Sequence, residues 1–178
     1  MYTRYFSFED DEFGSVAPKG FTTVDADHKA TVQPLMINYP NIGNAYAYIV
    51  INQQPEPEGA DWRNIYPRSG DQLLATMATA DGTEAVDWII SDQMTARNDA
   101  KFRFYAKSYD GDNTYHQWAY LTVLVSTTDN AVSSFTPLSG FTSVQVPHKN
   151  NNDSQTSWTE FDVDLSAYAG QKIYIAVR

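Results

Sequence analysis

Glu9, Asp25, Asp27 and Asp87 are the residues of this 178-residue chain best suited to chemistry, and that chemistry is the binding of a hard cation. Ca²⁺ takes six to eight oxygen ligands from carboxylates, carbonyls and waters. Glu9 ends a first candidate strand, Asp25 and Asp27 fall in the loop after the next, and Asp87 precedes another. If those loops share one end of a sandwich, the carboxylates repel one another unless a cation neutralises them. Asp10 is a spare ligand. The alternative is that all are solvated loop acids, with Asp25 capping a turn. A second acidic loop, Asp110-Gly111-Asp112-Asn113, lacks the glycine and terminal glutamate of an EF-hand and reads as a hairpin turn.

Aromatic residues are the second resource, with 12 Tyr, 9 Phe and 4 Trp. Exposed Trp and Tyr faces beside hydrogen-bonding side chains make platforms for sugars. Trp62 and Tyr66, in a long Pro-rich loop, form one candidate ligand surface. Tyr109, Tyr115, His116, Gln117 and Trp118, around the Asp-rich loop, form the other. Trp88 and Trp158 sit inside strand patterns and are expected in the core. His28, His116 and His148 are far apart and match no zinc spacing. No nucleophile elbow, phosphate loop or dinucleotide fingerprint occurs. The run Glu9-Asp10-Asp11-Glu12 offers neighbouring carboxylates, but adjacent strand residues point to opposite faces, which does not suit a glycosidase pair. The chain therefore reads as a non-enzyme.

With 22 Asp and Glu against 12 Lys and Arg, the net charge is −10. Such a field repels nucleic acids and anionic membranes, so partners are expected to be neutral, cationic or metal ions. No run approaches the ~20 apolar residues of a membrane span. There is no cysteine, which excludes disulfides, thiolate nucleophiles and Cys-type zinc sites. The first residues lead into Tyr5-Phe6-Ser7-Phe8 without the long apolar stretch of a secretory leader. The expectation is either a cytoplasmic protein or a segment of a longer exported chain.

The elements that must carry these side chains are strands. Phe102, Phe104 and Ala106 alternate with Lys101, Arg103 and Tyr105. Phe161, Val163 and Leu165 alternate with Glu160, Asp162 and Asp164, and Ile173, Ile175 and Val177 repeat the pattern. Period two marks half-buried strands. Residues 46–51 and 120–125 are uniformly apolar and read as central strands. Weaker candidates are residues 5–8, 21–24, 72–77, 88–91 and 143–146, and residues 166–170 read as a single turn ended by Gly170. About ten short strands between Gly, Asn, Asp and Pro loops predict an all-β, jelly-roll β-sandwich. No composition shift marks a linker, so residues 1–178 are expected to form one domain.

Residues 157–178, with Trp158, Asp164-Leu165-Ser166, Tyr168-Ala169-Gly170-Gln171 and Tyr174-Ile175-Ala176-Val177-Arg178, resemble the C-terminal signature of the cleaved-adhesin, or choice-of-anchor J, family of bacterial surface modules. Asp87-Trp88-Ile89-Ile90-Ser91 resembles a second element of that family, and Phe8-Glu9 and Val24-Asp25-Ala26-Asp27 its opening. Asp92 stands where the family usually has Pro, and His28 where Gly is usual. The chain stops at Arg178, where the family continues into one more strand, which leaves a sandwich lacking its last strand as an expectation. The resemblance implies a jelly roll of galactose-binding-like or MAM-like architecture. It implies export to the cell surface, neighbouring domains in a longer chain, a structural calcium ion in many members, and no catalysis. The function expected is a binding module contacting a host protein or a glycan. The alternatives are a structural accessory domain or a carbohydrate-binding module.

Overall fold

The computed structural model describes residues 3–33, 39–52, 67–108, 119–147 and 158–178. It carries twelve strands among these residues: β1 (Phe21–Asp25), β2 (Ile49–Asn52), β3 (Gln72–Ala75), β4 (Asp87–Ser91), β5 (Met94–Thr95), β6 (Lys101–Ala106), β7 (Tyr120–Leu121), β8 (Val123–Ser126), β9 (Thr136–Pro137), β10 (Val144–Gln145), β11 (Thr159–Asp164) and β12 (Lys172–Val177). Every pairing is antiparallel. The largest sheet runs β1-β4-β12-β8-β9, with β5 also paired to β12, and three two-stranded ladders join β10 to β7, β11 to β6 and β2 to β3.

The alternation seen in the sequence becomes two layers. Val123, Val125, Ile173 and Ile175 on β8 and β12 pack with Phe161 and Val163 on β11, and Phe102 and Phe104 on β6 join them. The outward residues of β11 and β6 form ion pairs instead, Asp162 with Lys101 and Arg103, and Glu160 with Arg103. The other face of the large sheet buries Trp88, Ile90, Leu124 and Ala176 beneath Phe135. A third cluster holds β2 and β3 against Tyr39, Tyr46 and Trp158. Trp88 and Trp158 thus both face apolar cores, and Lys107 lies 5.0 Å from the Trp158 ring centroid.

Two strand expectations are corrected. Residues 5–8 do not form a strand; Phe8 takes φ 64°, a left-handed turn that breaks extended backbone. Phe6 and Phe8 instead lay their rings on Phe21 at 4.5 and 6.1 Å. The run 120–125 is divided at Thr122, where the chain changes partners. β7 pairs with β10, whereas β8 pairs with β12. Thr122 exchanges backbone hydrogen bonds with Arg178 at 2.8 and 2.9 Å, and its hydroxyl accepts the Ser143 N–H.

Candidate metal centre

β1 ends on Asp25 and β4 begins on Asp87, and the two are direct partners in the ladder. Directly opposed residues of an antiparallel pair point to the same face. Their neighbours Val24 and Trp88 point the other way and are drawn into the core. The chain then turns tightly. Asp25 Oδ1 accepts the His28 N–H at 2.7 Å, and His28 takes φ 55° to make the turn. Asp27 Oδ1 accepts the Lys29 N–H at 2.9 Å, while its Oδ2 reaches across to the Val86 N–H at 2.6 Å. Ala26 donates to the Val86 carbonyl at 3.0 Å, so residues 25–29 are laced to the approach of β4.

The result is a cluster in which Asp25, Asp27 and Asp87 each offer a carboxylate oxygen, all within 4.8 Å of one another. Asp87 is half-buried as a residue, and its carboxylate is the most enclosed of the three. Burial pushes its carboxyl up to about 7, and the charges of Asp27 and Asp25 add to the rise, against the hydrogen bond that Thr76 Oγ1 donates to it. Tyr48 borders the same carboxylate, and burial holds its phenol far above the ordinary tyrosine range. Three crowded carboxylates supply only hard oxygen donors. That donor set suits Ca²⁺ and does not suit a soft metal.

Glu9 does not join the cluster. Its carboxylate accepts the N–H groups of Asp71 and Gln72, each at 3.1 Å. Gln72 opens β3, whereas Thr76, the partner of Asp87, follows its last residue. Glu9 therefore sits at the opposite end of that strand. It fills a nest of backbone amides where Gly70 takes φ +68°, and a side chain at Gly70 would meet Glu9 Oε1 at 2.3 Å. Asp10 is also outside the cluster; its carbonyl accepts the Lys19 ammonium. Thr76 and Tyr48 had no signal in the sequence, since each lies inside a run read as a strand, 72–77 and 46–51, and only the observed strand ends place them beside Asp87. The candidate ligand residues Trp62, Tyr66, Tyr109, Tyr115, His116 and Trp118 lie outside the described residues.

The family model described as Cleaved Adhesin Domain matches residues 58–178. The fold is similar to the crystal structure of the K2 cleaved adhesin domain of Lys-gingipain, with TM-score 0.58 and 19% identity over 97% of this chain and 87% of that one. It is also similar to the K1 cleaved adhesin domain of Lys-gingipain from Porphyromonas gingivalis W83, with TM-score 0.56 and 21% identity over 97% of this chain and 85% of that one. At such identities the likeness speaks for the fold. No curated protein sequence matches the chain.

Proposed function

The chain belongs to the Cleaved Adhesin Domain family, adhesin modules of exported cell-surface proteins, and from that premise we propose that it is a non-catalytic binding module, pinned by calcium, that contacts a host protein or a glycan. The observation that carries the calcium part is the gathering of Asp25, Asp27 and Asp87 at one end of the β1–β4 ladder. Asp25 and Asp27 would hold the ion from the turn after β1, and Asp87 from the start of β4. The ion would supply positive charge where three carboxylates otherwise repel. It would also tie residues 25–29 to the large sheet, so that neighbouring loops are presented in one arrangement.

Thermal melting in EDTA and in ~10 mM Ca²⁺ tests this reading. Extracellular calcium modules bind at roughly 10⁻⁴–10⁻³ M. A single site at about 100 times its dissociation constant stabilises by about 2.7 kcal/mol. For a domain of this size that raises the melting temperature by roughly 5–10 °C. The expected result is such a shift with calcium and a smaller one with magnesium. No shift, in protein shown by metal analysis to carry no calcium, overturns the calcium reading. Screening immobilised glycans and host proteins with the calcium-loaded chain tests the adhesive part, and a screen without a binder overturns it.

A further inference from the structure

We infer that Thr76 is a positioning residue for the cation, fixing the Asp87 carboxylate in the orientation that completes the cluster; this rests on the calcium reading above. The three carboxylates are held in different ways. Both oxygens of Asp27, and one of Asp25, are fixed by backbone N–H groups of their own turn and of Val86. Among the described residues, Asp87 takes its hydrogen bond from the Thr76 hydroxyl, which donates to Oδ2. Thr76 directly follows β3, a strand paired with β2 and outside the sheet that carries Asp25 and Asp87. The most enclosed carboxylate is thus aimed from a separate ladder by one side chain. A hydroxyl that holds one oxygen of a ligating carboxylate sets its rotation and keeps the other oxygen available, which is how outer partners tune a metal site. Thr76 is itself exposed, so its methyl and hydroxyl fill no core and can be exchanged without opening a cavity.

The test uses the whole 178-residue chain with Ca²⁺ as the probe, comparing wild type, Thr76→Val and Thr76→Ser by calorimetric titration. Loss of an outer-shell partner typically weakens metal binding by about 10–100-fold. Thr76→Val should weaken calcium binding by that factor, and Thr76→Ser, which restores the hydroxyl, should bind within a few-fold of wild type. Terbium bound in place of calcium gives a second readout: its emission lifetimes in H₂O and D₂O should show about one additional bound water in the valine variant. Melting in EDTA checks that the valine variant is folded. Equal calcium affinity in wild type and Thr76→Val overturns the inference while leaving the metal site standing, and so does a serine variant as weak as the valine one. A wild type that takes up neither calcium nor terbium overturns the calcium reading and the inference with it.

Discussion

Asp25 and Asp87 face each other as direct partners in the last pair of the β1–β4 ladder. Like charges directly opposed on a sheet oppose pairing by roughly 0.2–1 kcal/mol. Here Asp27 adds a third carboxylate to the same spot. The substitution Asp87→Asn removes one charge but keeps an oxygen that can accept the Thr76 hydroxyl. At pH 8 in EDTA it should melt at or a few degrees above wild type. In ~10 mM Ca²⁺ it should melt below wild type, having lost the calcium-dependent shift. The order of the two proteins reverses between the two buffers. A variant that melts lower in both marks Asp87 as a purely structural acid.

His28 offers a separate handle on the same turn. Its φ of 55° places an L-residue with a side chain in the left-handed region. That conformation costs most residues roughly 1–2 kcal/mol, and glycine little. The contact that matters, the N–H bonded to Asp25 Oδ1, belongs to the backbone and survives substitution. His28→Gly should therefore raise stability by about 1 kcal/mol, or roughly 2–4 °C in melting temperature, less whatever glycine adds to the entropy of the unfolded chain. Calcium affinity should stay within a few-fold of wild type. A fall in melting temperature for His28→Gly that His28→Asn, which also tolerates the left-handed region, shares would show that the imidazole makes a contact worth more than the strain.

These positions show which parts of the molecule were legible in the sequence. β11 could be read directly, because Phe161 and Val163 alternate with exposed Glu160 and Asp162, and a half-buried strand imposes that period. The C-terminal run 172–177 was legible for the same reason. The break at Thr122 was not, since an apolar run does not reveal that its two halves pair with different strands. Three of the four candidate ligands are gathered because each lies where β1 or β4 meets its loop. Glu9 is parted from them because its carboxylate is held by the backbone amides of Asp71 and Gln72, at the end of β3 away from Thr76. Thr76 was invisible, because its meaning lies wholly in what β3 brings it beside.

Ser91 stands where β4 leaves its partner. The β4–β12 ladder covers Ala176 and Val177, and β5 resumes the pairing at Ile173. Between them the Ile175 N–H is buried and donates to Ser91 Oγ at 3.0 Å, in place of a carbonyl. Ser91 is itself buried, and its hydroxyl donates to the Asp92 carbonyl at 3.0 Å. Ser91→Ala leaves the Ile175 amide without its acceptor, and a buried unsatisfied donor costs about 1–3 kcal/mol. The melting temperature should fall accordingly, and the Ile175 amide should exchange with deuterium faster than its neighbours. Unchanged stability and exchange would mean that water reaches that amide.

Asp81 governs one part of the acid limb. The Thr83 hydroxyl at 2.5 Å and the Thr83 N–H at 3.0 Å both donate to its Oδ1, and Lys29 stands 3.6 Å from its Oδ2. These donors hold its carboxyl down to about 2, the side chain of Thr83 contributing most. An unfolded aspartate titrates near ~4, so the folded state binds fewer protons between about pH 4 and pH 2. The contribution is therefore whole above about pH 4 and lost as pH falls towards 2. Asp162 and Asp164 are lowered in the same direction, by the Arg103 side chain and the Ser166 N–H respectively, and they steepen the acid limb of any variant alike. Comparing wild type with Asp81→Asn isolates the single group. The gap between their urea midpoints should be constant from pH 7 to about 4.5, then close as pH approaches 2. A gap that stays wide at pH 2 would assign the effect to the shape of the turn, since by then most of the stability linked to the carboxylate charge is lost.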